Sequence, residues 1–519
     1  MTIDKIKIVE FGSYLAAPLA CKYLVDSGFD VTCVIKPENK ESLDEREYME
    51  HTYHDLRRHK KVVEIDLKND IKKAYELIRI SDVIVENMKN GSMVRLGLGF
   101  EDCKRINPDI LYVSIPGYNL NDDEYADLKA WDSIVMATSG VFYNMGLNRT
   151  LLGVKSSFSA LHLPSTYASI FAAFAIVSAL FQGKKGEFIE VSLASALSEA
   201  LVHNSIDFPL DESYQNLRQI KIKKGEYPIS KDELESLTDP FFSTYKCSDN
   251  RPIYIVCPSH KKHQINALKC LNVYEKVSSI LPKHLHHYSE FSNEHGIGSG
   301  RLSEKHVAAV RNIIQNAFLE KTASEWEYIF GVAQVPCIAH KSTQEWKSTS
   351  HVKESGLFLN NTLSPLVWHR SIRTCTTDFS SQTFENVRVL DMSNVIAGPT
   401  IGTMLARMGC TVTKLDPVKP FYGPCITVIY GVVVNIGKES VLVDVNTERG
   451  RQLFEAMLKT YDVLIVNNTS ASLERLGFTP AYFENINPNL IIVQFDAWGG
   501  YLEGGNYKNF VGYDDNVQA

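Results

Sequence analysis

Few residues in this chain have the type and spacing to do chemistry, and the first is a basic run, Arg57-Arg-His-Lys-Lys61, ahead of an apolar segment of strand length. Most such runs are solvated faces. A second stretch of the chain repeats this region but keeps only Lys438, in the place of Lys60. A single retained lysine at the start of a strand suits a point contact to phosphate better than a diffuse charge patch. The turn Gly12-Ser-Tyr-Leu-Ala-Ala-Pro18 has neither G-x-G-x-x-G nor G-K-[ST], so nicotinamide and nucleoside-triphosphate readings fail there. Its small Ala16-Ala17-Pro18, matched by Ala397-Gly398-Pro399, allows a ligand to approach backbone at a helix N-terminus. The same residues also describe a plain tight turn with proline in the first helical turn. His284, His286, His287 and His295 lie in a polar stretch without the rigid spacing that metal ligands need, so an exposed loop is expected and no metal.

The elements that must position these residues alternate. Ile6–Phe11, Asp30–Ile35, Val62–Ile65, Val83–Val85 and Ile110–Ile115 are β-rich runs of strand length. Between them, Pro18–Asp26 and Asn69–Ile80 have helical spacing, with Asn69 as the expected N-cap. This alternation predicts an α/β fold, a Rossmann-like open parallel sheet with helices on both faces and ligands beyond the carboxyl ends of the strands. Pro164–Phe181 reads as a long apolar helix and Phe188–Leu193 as the strand after it. Residues 205–235 read as a polar linker, and Tyr245–Cys257 as a hairpin turning at Ser248-Asp-Asn-Arg251.

The opening of the chain is then written again. Lys7-Ile-Val-Glu-Phe-Gly-Ser-Tyr-Leu-Ala-Ala-Pro18 aligns without a gap on Arg388-Val-Leu-Asp-Met-Ser-Asn-Val-Ile-Ala-Gly-Pro399. Ser81-Asp82 answers Tyr461-Asp462, Leu96-Gly97 answers Leu476-Gly477, and Ile106-Asn-Pro108 answers Ile486-Asn-Pro488. A period of roughly 380 residues is a duplicated domain, not a solenoid unit. The expected organisation is a first large domain over 1–204, a smaller α+β domain over 240–360, and a partial second large domain over 385–519.

Bulk properties exclude several classes. With 519 residues the chain is long enough for two or three domains. An apolar share of 44%, a charged share of 22% and a net charge of −7 argue against nucleic acid or an anionic membrane as partner. Ten scattered cysteines without C-x-x-C predict reduced, mostly buried thiols. No secretory signal or peroxisomal tripeptide is visible, so a cytoplasmic protein is expected, with mitochondrion or peroxisome as alternatives.

One ordered set of motifs carries a resemblance. Lys60-Lys-Val-Val-Glu-Ile-Asp-Leu67, Ser81-Asp-Val-Ile-Val-Glu-Asn-Met-Lys-Asn-Gly91, Arg95-Leu-Gly-Leu-Gly-Phe100, Ile106-Asn-Pro-Asp-Ile-Leu-Tyr112 and Ser114-Ile-Pro-Gly-Tyr118 follow one another. Lys184–Leu193, Phe318–Trp326 and Gly331–Cys337 continue the series. Together they resemble the family III CoA transferases, the CaiB/BaiF group, over almost the whole chain. The resemblance implies coenzyme A as substrate and carrier with no permanently bound cofactor, an acyl-CoA and a small carboxylic acid as partners, and two interlocked subunits. A homodimer or a pseudo-dimer formed within one chain would satisfy that last feature. Carried over motif by motif, the CoA-binding positions are Ala17, Pro18, Lys60, Asn87, Met88, Arg95, Leu96 and Lys129. The three cations suit phosphate and Met88 an adenine.

The family's reaction uses an aspartate that attacks the acyl-CoA thioester to give a mixed anhydride. By resemblance that place is Ser165, in Leu163-Pro-Ser-Thr-Tyr167. A serine is neutral, needs a base, and forms an ester too stable to return the acyl group to a thiol. The first unit is therefore expected to be silent, and the second copy's counterpart of Ser165 falls beyond Ala519. The racemase branch places a histidine where this chain has Trp131 and Tyr513, neither of which can act as that base. Two readings stay open. One is a fused two-unit CoA transferase, some relatives of which couple transfer to cleavage of the acyl group. The other is a non-catalytic acyl-CoA-binding pseudoenzyme or scaffold.

Overall fold

The computed structural model describes residues 5–37, 50–144, 153, 159–205, 228–257, 260–283, 296–299, 302–354, 358–359, 362–363, 383–423, 428, 430–498 and 507–518. The histidines at 284, 286, 287 and 295 and most of the 205–235 stretch lie outside these residues. The chain forms two compact units, one of residues 1–207 with 378–383, the other of 208–377 with 384–519.

The first unit is built on six parallel strands: β1 (Lys7–Phe11), β2 (Asp30–Ile35), β3 (Lys61–Glu64), β4 (Val83–Glu86), β5 (Leu111–Ser114) and β6 (Phe188–Glu190), ordered 3-2-1-4-5-6. Alternate residues face opposite layers, as the two-residue period of a strand requires. Ile8, Val31, Val83, Val85, Leu111 and Val113 pack under helices Ala16–Asp26 and Leu163–Phe181. Val9, Phe11, Val34, Ile84 and Tyr112 pack under helices Ile71–Ile80 and Phe100–Ile106. The 19-residue helix Leu163–Phe181 is apolar and long enough to cross a membrane by length and composition. It is instead a core helix, whose own Ala168, Ala172, Ile176 and Ala179 are buried in the first unit's core. Three local expectations need correction. Asp70, not Asn69, precedes helix Ile71–Ile80, because the Asn69 amide donates to Asp66 Oδ2 at 2.8 Å. The last strand ends at Glu190 rather than Leu193, and Lys231–Leu237 is a helix capped by Ser230, not linker.

In the second unit, β7 (Phe242–Lys246), β8 (Pro252–Val256) and β9 (Cys337–Ala339) form an antiparallel sheet around Phe318, Trp326 and Phe330. A short pair, β10 (Phe358–Leu359) and β11 (Thr362–Leu363), follows. Then come β12 (Arg388–Asp391), β13 (Thr411–Asp416), β14 (Glu439–Leu442), β15 (Val463–Val466) and β16 (Ile491–Gln494). Their order, 14-13-12-15-16, repeats 3-2-1-4-5, and Arg388 opposite Thr411 repeats Lys7 opposite Asp30. Ile491 and Ile492 are exposed at the edge that β6 covers in the first sheet.

The motifs shared by the copies are braces. Asp82 accepts Lys7 N–H at 2.8 Å, and Asp462 accepts Arg388 N–H at 2.8 Å. The Asn107 amide donates to the carbonyls of Ile78 and Ser81, and the Asn487 amide to those of Leu458 and Tyr461. Gly97 and Gly477 take the left-handed conformation, φ +71° and +75°, that ends a short helix.

Within the second unit the repeat and the antiparallel domain share polar contacts. The Glu327 carboxylate accepts from Tyr507 Oη, from Ala339 N–H at 2.8 Å and from Lys341 Nζ at 2.5 Å. His260 and His263 stack at 3.7 Å beside Tyr422 and Tyr513, whose hydroxyls lie 3.2 Å apart. Burial lowers the His260 pKa to about 4 and the His263 pKa to about 3. The folded unit thus holds both rings neutral, whereas the unfolded chain takes up protons there below about pH 6.5. Stability is present above that pH and is lost as pH falls from about 6.5 toward about 4. Denaturant midpoints measured across this window should drop, and His260→Asn with His263→Gln should flatten the slope.

Candidate functional site

The first strand-to-helix turn in each copy rests on a buried ion pair. Lys60 Nζ lies 2.7 Å from Glu10 Oε2 and 2.7 Å from the Pro18 carbonyl, and its side chain is 0% exposed. Lys438 Nζ repeats both contacts, 2.7 Å to Asp391 Oδ2 and 2.7 Å to the Pro399 carbonyl. Room for the second pair depends on Gly402, where a Cβ would come within 2.9 Å of Asp391 Oδ2 and 3.0 Å of Lys438 Nζ. Lys60 is therefore not a free cation at the surface, as the point-contact expectation had it. It ties the helix start, with Ala17 and Pro18 buried, to the end of β1.

Asn87 clasps the same turn from the other side. Its Oδ1 accepts Ser13 N–H at 2.9 Å and its Nδ2 donates to Ser13 O at 2.8 Å. Asn467 does the same for Asn394, at 2.8 Å in both directions. Held between lysine and asparagine, the turn puts a non-glycine residue at positive φ in both copies, Tyr14 at +64° and Val395 at +68°. Such conformations persist only where the surroundings over-determine them. The turn lies where the strand order reverses between β1 and β4, the place where open α/β sheets bind ligands.

The other predicted positions spread around this turn. Met88 lines a cleft of about 350 Å³ with Gly91, Phe100, Tyr112 and Phe188. Tyr112 and Phe188 stack there at 5.7 Å. Glu86 forms the cleft's inner wall, its carboxyl pushed up by burial against hydrogen bonds from Ser114 and Met88 N–H. Arg95 is exposed on the short helix Ser92–Arg95 with its guanidinium 2.9 Å from Ser92 Oγ, and Leu96 caps that helix. Lys129 is exposed in the loop before Trp131.

Ser165 is buried, 2% exposed, in the first turn of helix Leu163–Phe181. A helix start leaves N–H groups without intrahelical partners. Asp132, the first residue of helix Asp132–Thr138, satisfies one of them: its Oδ1 accepts Ser165 N–H at 2.8 Å and its Oδ2 accepts Ser165 Oγ–H at 2.7 Å. His162 stands at the mouth, 44% exposed, with Nδ1 3.5 Å from Asp132 Oδ2. The Tyr14 hydroxyl lies 3.4 and 3.5 Å from the two imidazole nitrogens, and Trp131 meets the Tyr14 ring edge-on at 5.6 Å. Sequence reasoning singled out Ser165 and missed Asp132, His162 and Tyr14. The one available signal was that His162 stands three residues before Ser165 and Asp132 directly follows Trp131. Among the described residues no group of histidine, cysteine or acidic side chains is placed to hold a metal, and eight cysteines are unbonded thiols, all but Cys270 buried.

Removing one partner of a buried ion pair strands the other, so Lys60→Ala should lower the unfolding free energy by about 3–5 kcal/mol. Lys60→Met combined with Glu10→Leu should recover most of that loss in urea titrations of the whole chain.

Comparison with known proteins bears on both copies. The model of CoA-transferase family III matches residues 3–374 and 384–519. The chain is 34% identical to the CoA-transferase/lyase DddD of Marinomonas sp. (strain MWYL1), over 99% of this chain and 68% of that protein. It is 28% identical to the succinate–glutarate CoA-transferase of Agrobacterium fabrum (strain C58), over 40% of this chain and 54% of the relative. Among solved structures, a CaiB/BaiF family protein from Brucella suis superimposes with a TM-score of 0.53 at 19% identity, covering 71% of this chain and 93% of its own. That likeness concerns the fold. With the family model spanning both copies of the repeated sheet, the chain belongs to CoA-transferase family III.

Proposed function

We propose that this chain takes part in moving CoA between an acyl-CoA and a carboxylic acid, and that cleavage of the acyl group accompanies the transfer. The observation that carries this reading is the match to a CoA-transferase/lyase over 99% of the chain, across both copies and the domain between them. In the reaction an aspartate attacks the donor thioester, giving an anhydride and CoA thiolate. The thiolate then attacks the aspartyl carbonyl, releasing the donor acid and leaving an enzyme thioester. The acceptor carboxylate attacks that thioester to form a second anhydride and free the thiolate. Attack of the thiolate on the acceptor carbonyl yields the new acyl-CoA and restores the aspartate.

In the first unit Ser165 takes no part as acyl acceptor in this reading. Its hydroxyl donates to Asp132, and both Asp132 oxygens are occupied by Ser165. The aspartate comes from outside residues 1–207, and the first unit contributes a CoA seat. Support for that seat is the turn held by Lys60 and Asn87, the Met88 cleft, and the exposed cations Arg95 and Lys129. The antiparallel domain and the second copy are joined within the second unit through Glu327 and Tyr507.

Two measurements test this. Acyl-CoA with hydroxylamine should leave a hydroxamate on an aspartate outside residues 1–207 and none within them, read by peptide mass spectrometry. No hydroxamate anywhere would favour the non-catalytic acyl-CoA-binding reading. In calorimetric titrations, Arg95→Gln and Lys129→Gln should each weaken CoA binding by about 1 kcal/mol, near fivefold, as expected for an exposed charge contact. Unchanged affinity in both would move the phosphate site elsewhere.

A further inference from the structure

We propose that mild acid opens a seam inside the second unit, releasing the end of the second copy from the antiparallel domain while each keeps its own core. The inference stands apart from the transferase reading. Three histidines of the antiparallel domain line the seam, and each meets an aromatic side chain of the second copy. His260 lies edge-on to Tyr422 at 5.2 Å, and His263 to Tyr513 at 6.4 Å. His351 lies edge-on to Trp498 at 5.8 Å and tilted against Tyr507 at 5.2 Å. His263 and His351 are 8% and 3% exposed.

The hydrogen bonds leave no place for a second proton on these rings. His260 caps helix Lys261–Cys270, its Nδ1 accepting the His263 N–H at 3.2 Å. A proton on that nitrogen would set N–H against N–H and undo the cap. His263 Nδ1 and His351 Nδ1 are buried without a hydrogen-bond partner. An imidazolium carries a proton on both nitrogens, so either ring would bury an unsatisfied charged donor. His260 and His263 also stack at 3.7 Å, where two positive charges repel. Around that pair stand Lys261 and Lys262 on the same helix, Tyr422, Tyr513 and the Cys257 thiol, with Asp514 exposed beside Tyr513. Near His351 are Lys353 on its own short helix and, through Tyr507, Glu327 and Lys341. Among the described residues no carboxylate pairs with any of the three, and burial lowers the pKa of each.

The seam can part before either core does. Phe318, Trp326 and Phe330 fill the antiparallel core, while Leu390, Phe454, Leu464 and Phe478 fill a separate core in the second copy. Between them lies a small cluster of Ile338, Trp498 and Tyr507, with Ala497 and Phe510 against it. Tyr507 Oη donates to Glu327, and Gln334 Nε2 donates to the Asn509 carbonyl. The Phe510 ring fits only because residue 331 is glycine, where a Cβ would come within 2.1 Å of it. Breaking so small a set of contacts costs less than unfolding a core. The closed seam binds fewer protons than the open one, so acid favours opening.

The test is hydrogen–deuterium exchange on the complete protein, corrected for the intrinsic pH dependence of the rates. The window runs from about pH 7.5 to about pH 5.5 and brackets the free imidazole value. Residues 507–518 should lose protection as pH falls, while β8 and β15 keep theirs. Each ring that is neutral when closed and titrates near pH 6.5 when open adds about tenfold over this window, so three add about a thousandfold. His260→Asn, which keeps a capping acceptor, His263→Gln and His351→Gln should each remove about tenfold of that loss. Gly331→Ala should expose residues 507–518 already at the upper end of the window, which marks the signature of the open form. Protection that stays level in the unaltered protein overturns the proposal. So does a loss that persists undiminished in all three single variants, or one in which β8 and β15 exchange together with residues 507–518.

Discussion

A lysine ammonium sealed beneath the first strand-to-helix turn is the constraint around which each copy is arranged. Lys60 reaches Glu10 and the Pro18 carbonyl, and Lys438 reaches Asp391 and the Pro399 carbonyl, with 2.7 Å at each contact. A buried charge is tolerable only when paired and hydrogen-bonded, so the pair commits three segments to one geometry: the end of the first strand, the start of its helix and the residue before the third strand. The asparagine after the fourth strand closes the other side. What emerges is a turn rigid enough to hold tyrosine or valine at positive φ at the switch point of the sheet.

On that shared frame the two copies have diverged where chemistry would happen. The first presents Tyr14 beside His162, with Asp132 and Ser165 beneath it. The second presents Val395, and its Tyr513 turns to Tyr422 and the histidines of the antiparallel domain. Position 165 is a serine, where the resemblance implied an aspartate. A carboxylate does stand beside that position, supplied by Asp132, but it is used to hold the helix start. The first unit thus sets a histidine and an aspartate beside that serine.

Several site residues changed role once the chain was folded. Lys60 looked like a phosphate contact because a retained basic residue at a strand start is ordinarily solvated, and nothing local says that Glu10, fifty positions earlier, lies beneath it. Asn87 was grouped with ligand positions, and its amide is occupied by the backbone of Ser13. Met88, by contrast, lines a cleft with aromatic walls. The repeated motifs were legible as a repeat but not as braces. Each is an aspartate, asparagine or glycine whose partner is a backbone group supplied by another segment.

By itself, the order of residues determined the period of each strand and helix, the duplication and the family, because these depend on local alternation of apolar side chains and on runs of matching residues. It also determined that a serine stands where an aspartate would be expected. Only the tertiary structure decided which cations are free, what Ser165 bonds to, and that His162, Asp132 and Tyr14 meet. Those facts depend on contacts between residues 30 to 150 positions apart, set by how helices pack on the sheet, and no local pattern encodes such a distance.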